Sequence, residues 1–296
     1  RDNMTTRQHP RTNQAPPPPP PGGIANLPLS LFSFVMAATS LRGAPPPAAL
    51  AGLSAPARFC LCVGLVQLGF FFYKEVVPRA FARAPSLRAR GKPLDSFSTA
   101  DWLCISLNKG LTWVMVYHTL SYLLVAERVV WDLTHISLTN TLGALLALFV
   151  VYDFFYSLLH RALHVRGIYG YIHKHHHRQV VPTRGSLDAI NVHPVEYLLG
   201  EYNHLLSIFL VSNLVCPVHV LTCLAFLVLG GTAAALNHTR LGVRLRLPFA
   251  AKWPIFDVRA HDTHHCIPNS NYGQYTMLWD WVMGTYKAYE EASKAS

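Results

Sequence analysis

Between Leu205 and Thr239 the chain runs for 35 residues without an Asp, Glu, Lys or Arg. A bilayer-spanning helix needs ~20 apolar residues, so this stretch is sized for two short passes or a re-entrant hairpin. Cys216-Pro217 and Gly230-Gly231 are the places where it would break. Three more apolar regions precede it. Phe59 to Tyr73 is uncharged and flanked by Arg58 and Lys74, which can snorkel. Trp102 to Ala126 is interrupted only by Lys109, and Leu133 to Tyr152 is uncharged and continues through Asp153 to His160. Four such regions in one chain predict an all-α, multi-pass helical membrane protein. The composition agrees: 51% hydrophobic and 14% charged, where a soluble domain carries about 25% charged residues. That balance argues against a soluble enzyme and against a disordered chain.

The net charge is +10, but the basic residues sit between apolar runs instead of striping a polar domain. This excludes nucleic acid as a partner and reads as basic cytosolic loops. The six cysteines form no CxxC, which disfavours a disulfide scaffold or a cysteine zinc module. Residues 1–50 read as a disordered tail with six consecutive prolines, Pro16 to Pro21, and as a targeting segment. Residues 51–134 read as an N-terminal transmembrane region, and 135–290 as the catalytic domain.

Sixteen histidines outnumber the fifteen acidic residues, and thirteen of them lie between His160 and His265. They form His160-Arg-Ala-Leu-His164, His173-Lys-His-His176-His177 and His261-Asp-Thr-His264-His265. Residues three and four apart share a helical face, so each HxxHH is expected to aim three imidazoles at one point. His175 lies off that face and reads as a spacer. Eight imidazoles exceed what one zinc uses, and two metal ions sharing a polyhistidine site fit the number. Arg161 stands where the HExxH proteases place their general base, and no GxSxG, P-loop or GxGxxG occurs. Two alternatives remain open on the residues alone: a zinc-dependent membrane lipid hydrolase and a non-enzymatic membrane metal transporter. The three clusters must share one side of the membrane. His164 and His173 are too close in sequence for a crossing, and the long apolar run supplies an even number of crossings before His261. The nearby Arg161, Arg166, Lys174, Arg178, Arg184, Arg240, Arg244, Arg246, Lys252 and Arg259 place that side in the cytosol.

The ordered HxxxH, HxxHH and HxxHH resemble the fatty acid hydroxylase/sterol desaturase superfamily of integral membrane oxygenases. So do Asn191-Val-His193-Pro-Val-Glu196 and Asn271-Tyr-Gly with Trp279-Asp-Trp-Val-Met-Gly284-Thr. The resemblance covers roughly residues 135–290. It implies a non-haem di-iron oxidoreductase, usually of the endoplasmic reticulum, that hydroxylates or desaturates a lipid C–H bond with dioxygen and two external electrons. A plastid membrane is the alternative location. The implied iron ligands are His160, His164, His173, His176, His177, His261, His264 and His265, joined by His193 and His238. No residue beyond these ligands is assigned a catalytic role. Asp153, Asp257, Asp262, Glu196 and Asn191 are expected to brace the rings from behind, and Tyr152, Phe154, Phe155 and Tyr156 either line a lipid tunnel or pack. His118, His135, His204 and His219 read as hydrogen-bonded core residues. The residues leave the substrate open among a sterol, a sphingoid base, a free fatty acyl chain and a fatty aldehyde. No His-Pro-Gly-Gly haem motif is present, so the implied electron donors are a separate membrane b-type cytochrome and its NAD(P)H reductase.

Overall fold

The computed structural model describes residues 47–246 and 254–289. The proline-rich stretch, the apolar run Gly22–Leu41 and Lys252 lie outside the described residues. Seven helices organise the rest: α1 (Ala55–Ala80), α2 (Thr99–Val125), α3 (Thr139–Leu163), α4 (Pro194–Leu210), α5 (Val220–Asn237), α6 (Val258–Cys266) and α7 (Leu278–Met283). Single-turn helices, among them Lys174–His177 and Ser186–Ala189, join them. Helices α1, α3 and α5 are long and apolar enough to cross a membrane.

Polar residues set the helix starts. Ser98 and Asp101 form a reciprocal capping box at the head of α2. His193 opens α4 with Pro194 at its first position, and His219 opens α5 by accepting the Leu221 N–H at 3.2 Å. Both rings act as acceptors at an N-cap, so each is taken up by backbone. The long uncharged run breaks at Cys216-Pro217. There α4, prolonged by a π turn at Val211–Val215, gives way to extended chain before α5. Proline has no N–H to continue the helix, whereas Gly230-Gly231 stays helical.

The five long helices alternate in direction. The C-terminal ends of α1, α3 and α5 and the N-terminal ends of α2 and α4 gather at one end of the bundle. There Val77, Leu236 and Val258 pack together, and Asn108 of α2 donates to the carbonyls of Ile190 and Val192 at 2.8 and 2.9 Å. At the opposite end β1 (Val129–Val130) and β2 (Val218–His219) pair in parallel and hold the α2–α3 and α4–α5 connections together. Between the ends, Leu148, Tyr152, Ile208, Val211, Cys223 and Phe226 fill the core between α3, α4 and α5. Outward-facing Leu65, Leu68, Phe71, Leu103, Leu146, Phe209 and Leu224 leave an apolar perimeter, as expected where lipid replaces water. Beyond α5, β3 (Arg244–Arg246) pairs antiparallel with β4 (Pro254–Asp257), and Asp257 caps α6 through the Arg259 N–H at 3.0 Å.

Candidate metal centre

Nine histidines meet at the end where α3 and α5 finish and α4 begins. Their ring nitrogens form two adjacent groups: His160, His164, His173, His177 and His264, and His176, His238, His261 and His265. Within each group the nitrogens lie within 4.8 Å of one another. All nine are buried except half-buried His164. The groups nearly touch, with the rings of His177 and His265 centred 5.1 Å apart.

The HxxHH stretches do not each serve one point. His173 and His177 join the first group and His176 the second, while His261 and His265 join the second and His264 the first. Residues i and i+4 share a face, but the two consecutive histidines diverge by about 100°. Each stretch therefore straddles two points and contributes to both. Of the expected ligands, His193 belongs to neither group. Its Nδ1 accepts the Val195 N–H at 3.2 Å, which commits the ring to starting α4. His238, at the end of α5, lies inside the second group.

Outer contacts fix which nitrogen carries the proton. The Nδ1–H of His160 donates to the Tyr272 carbonyl at 2.9 Å, that of His264 to the Ser270 carbonyl at 2.6 Å, and that of His238 to the Ala234 carbonyl at 2.8 Å. His173 donates from Nδ1 to Glu196 Oε1 at 2.8 Å. Each of these rings is left with a bare Nε2 turned inward. The Nε2 atoms of His160 and His173 lie 3.1 Å apart, and with both protons committed elsewhere this contact is lone pair against lone pair. His177 approaches His173 at 3.0 Å and His264 at 3.1 Å. In the second group His261 approaches His265 at 3.0 Å and His238 at 3.3 Å. Converging neutral donors in a buried site fit a cation, and imidazole suits zinc, copper or iron.

Burial keeps the donors neutral. It pushes His164 down to about 4 and, with His164 beside it, His177 to about 3. His176, His261, His264 and His265 fall well below the usual range, first from burial and then from neighbouring rings. A free histidine titrates near ~6.5. Below that pH the unfolded chain takes up protons that the folded cluster refuses, so stability falls with falling pH. Metal-free protein in detergent is therefore expected to melt progressively lower between pH 7 and 4. A flat profile would show that the rings are not held neutral.

Much of the remaining sequence pattern shapes the walls of this site. Asp153 on α3 is fully buried and accepts the backbone N–H groups of Gln274 at 3.1 Å, Tyr275 at 3.0 Å and Thr276. Asp280 on α7 accepts those of Tyr272 and Gly273 at 2.7 and 2.8 Å. Together they fold the loop that presents the Ser270 and Tyr272 carbonyls to His264 and His160. Asn271 sits in that loop at φ 52°, a left-handed conformation that asparagine tolerates. Asp262 pairs with Arg240, and Asn191 links His175 at 2.8 Å to Asp101 at 3.0 Å. Asp257 braces α6 and contacts no ring of the two groups; it holds Arg244 and Arg259. Asn237, in the sequon Asn237-His-Thr239, is buried and donates to the Gln274 carbonyl at 2.8 Å, leaving no room for a glycan.

A cavity of about 650 Å³ opens from the histidines into the bundle. His160 of the first group and His176, His238 and His261 of the second line its head. Tyr152 and Tyr156 line it as well, whereas Phe154 and Phe155 face outward on the same helix. Exposed Leu65, Leu68, Phe71, Leu224 and Val228 border its side between α1 and α5, so its mouth opens laterally.

Residues 145–285 match the fatty acid hydroxylase family model. The histidine-box segment belongs to the fatty acid hydroxylase/sterol desaturase superfamily. Among curated superfamily proteins, the chain is 29% identical over 138 residues to a putative Delta(7)-sterol-C5(6)-desaturase 2 of Arabidopsis thaliana, covering 46% of this chain and 45% of that one. It is 34% identical over 130 residues to the lathosterol oxidase of Rattus norvegicus, covering 44% and 40%. It is 30% identical over 161 residues to methylsterol monooxygenase 1 of the same organism, covering 52% and 51%. The chain thus spans about half the length of these superfamily members, and no solved structure matches it.

Proposed function

We propose that this chain is a membrane-bound, non-haem di-iron oxidoreductase that hydroxylates or desaturates a C–H bond of a lipid, with dioxygen as oxidant and two electrons from outside. The observation that carries this reading is the meeting of two buried, neutral imidazole groups with an apolar cavity that opens sideways. His160, His164, His173, His177 and His264 would hold one ion, and His176, His238, His261 and His265 the other. Bound there, two irons supply the activation of dioxygen that an unactivated CH₂ requires.

The chain's own residues do the rest. Glu196 and the Tyr272 and Ser270 carbonyls orient the rings, and the Tyr152 and Tyr156 walls exclude water while steering an apolar substrate to the head of the cavity. A lipid enters through the mouth between α1 and α5. Residues 135–290 form the catalytic unit, and 51–134 supply the helices that complete the cavity. The named activities of the relatives favour a sterol over a sphingoid base or fatty acyl chain. A membrane b-type cytochrome and its NAD(P)H reductase supply electrons from the cytosolic side of the endoplasmic reticulum, toward which the basic residues around the histidines point. A transporter would place its ligands along a path at mid-membrane depth, whereas these rings cluster at the bundle's end.

The test is metal content of the purified full chain together with lipid profiles of cells with and without it. Two irons per chain and one lipid oxidation that depends on the protein are expected. A single zinc per chain, or unchanged lipids, would overturn the reading.

A further inference from the structure

Glu201 is a carboxyl in the middle of an apolar wall. It sits on α4 and lines the cavity that the histidines head. A carboxyl facing mostly apolar groups is costly to leave without a partner. It is partly accessible, and the space it reaches is the cavity itself. One turn earlier on the same face stands Tyr197, which lines the cavity beside it. The Tyr197 hydroxyl is fixed by Thr112 at 2.7 Å. A carboxyl offers about four lone-pair sites, so Glu201 has capacity for a ligand hydroxyl. No Lys or Arg stands among the described residues that line the cavity. Of the other polar groups there, His204 Nε2 meets the Tyr275 hydroxyl at 2.8 Å and its Nδ1 meets the Glu201 carbonyl at 3.1 Å, while Glu196 Oε2 and Gln274 Oε1, nearer the histidines, have no partner.

We propose that Glu201, on the cavity wall beside Tyr197, is the anchor for a hydroxyl group on the lipid substrate. This rests on the oxygenase reading and narrows its substrate. Among the described residues no Lys or Arg lines the cavity to pair a carboxylate beside Glu201, so at that point of the wall a neutral alcohol is favoured over a free fatty acid anion. Glu201 lies five residues along α4 from Glu196, which holds His173, or about 7 Å of helix axis at ~1.5 Å per residue. The apolar remainder of the lipid trails toward the mouth between α1 and α5.

The test measures equilibrium binding to the iron-loaded full chain in detergent, using a Δ7-sterol with a free hydroxyl, its methyl ether and a fatty acid anion. The wild type is expected to prefer the alcohol over the ether and the anion by about tenfold, the size of one hydrogen bond to an ionisable group. Glu201→Leu should erase that preference by weakening the alcohol alone, and Glu201→Gln, which still donates and accepts, should keep most of it. Equal binding of alcohol and ether by the wild type, binding of none of the three, or an equal loss of all ligands in Glu201→Leu would overturn the anchor. The wild-type comparison stands even if the leucine variant fails to fold. Iron content of the same preparations separates the two readings: two irons without alcohol preference sink only the anchor, and absence of iron sinks the oxygenase.

Discussion

Replacing His264 by alanine is expected to abolish lipid oxidation and to lower bound iron to about half or less, since metal affinity depends on the complete ligand set. His264 is fully buried, its Nδ1–H is tied to the Ser270 carbonyl, and its Nε2 lies 3.1 Å from His177 and 3.3 Å from His164. The loop that holds it and the rings that face it are set for a nitrogen at that point, and alanine supplies none. Loss of a partner that merely orients a ligand costs about 10–100-fold, so loss of the ligand itself should exceed a hundredfold. His193→Ala is the matched control. That ring caps α4, so its removal should cost about 1 kcal/mol of stability and leave the iron in place. Full turnover by His264→Ala, or iron loss in His193→Ala equal to that in His264→Ala, would refute the division of roles.

The second large effect is structural. Asp153→Ala should destabilise the protein by about 3 kcal/mol or more, because it leaves three backbone N–H groups buried without their acceptor. The loss falls on the loop that carries the Ser270 and Tyr272 carbonyls, so iron affinity should fall with the melting temperature. Asp153→Asn keeps one acceptor oxygen and should lie between. Thermal unfolding in detergent measures both variants, and an alanine variant that melts with the wild type would show that the loop holds without α3.

The sequence exposed most of this site because its chemistry is repetitive. Histidines at spacings of three and four must share a face once the chain is helical, and the parity of the apolar runs required α4 and α5 to lead away and return. What spacing does not encode is the point each ring reaches. A consecutive pair such as His176 and His177 diverges around the helix, so one triad divided between two centres has the same sequence as one converging on a single centre. The same limit explains His193, which stands in a motif beside Glu196 but spends its nitrogen on the backbone of α4. Glu196 itself was legible as a brace, while its partner was not, because His173 lies 23 residues earlier and meets it only through tertiary packing. Glu201 and His204 carried no signal beyond being polar in an apolar stretch. Their meaning depends on the cavity, which residues from α1, α2, α3, α4 and α5 enclose together.

The lateral mouth between α1 and α5 has a kinetic consequence. A substrate that arrives from the side is supplied by diffusion in two dimensions, and what the protein senses is the mole fraction of that lipid among its neighbours. Diluting the vesicles in buffer should leave turnover per protein unchanged, while diluting the substrate with inert phospholipid should slow it, so membrane composition itself sets the rate.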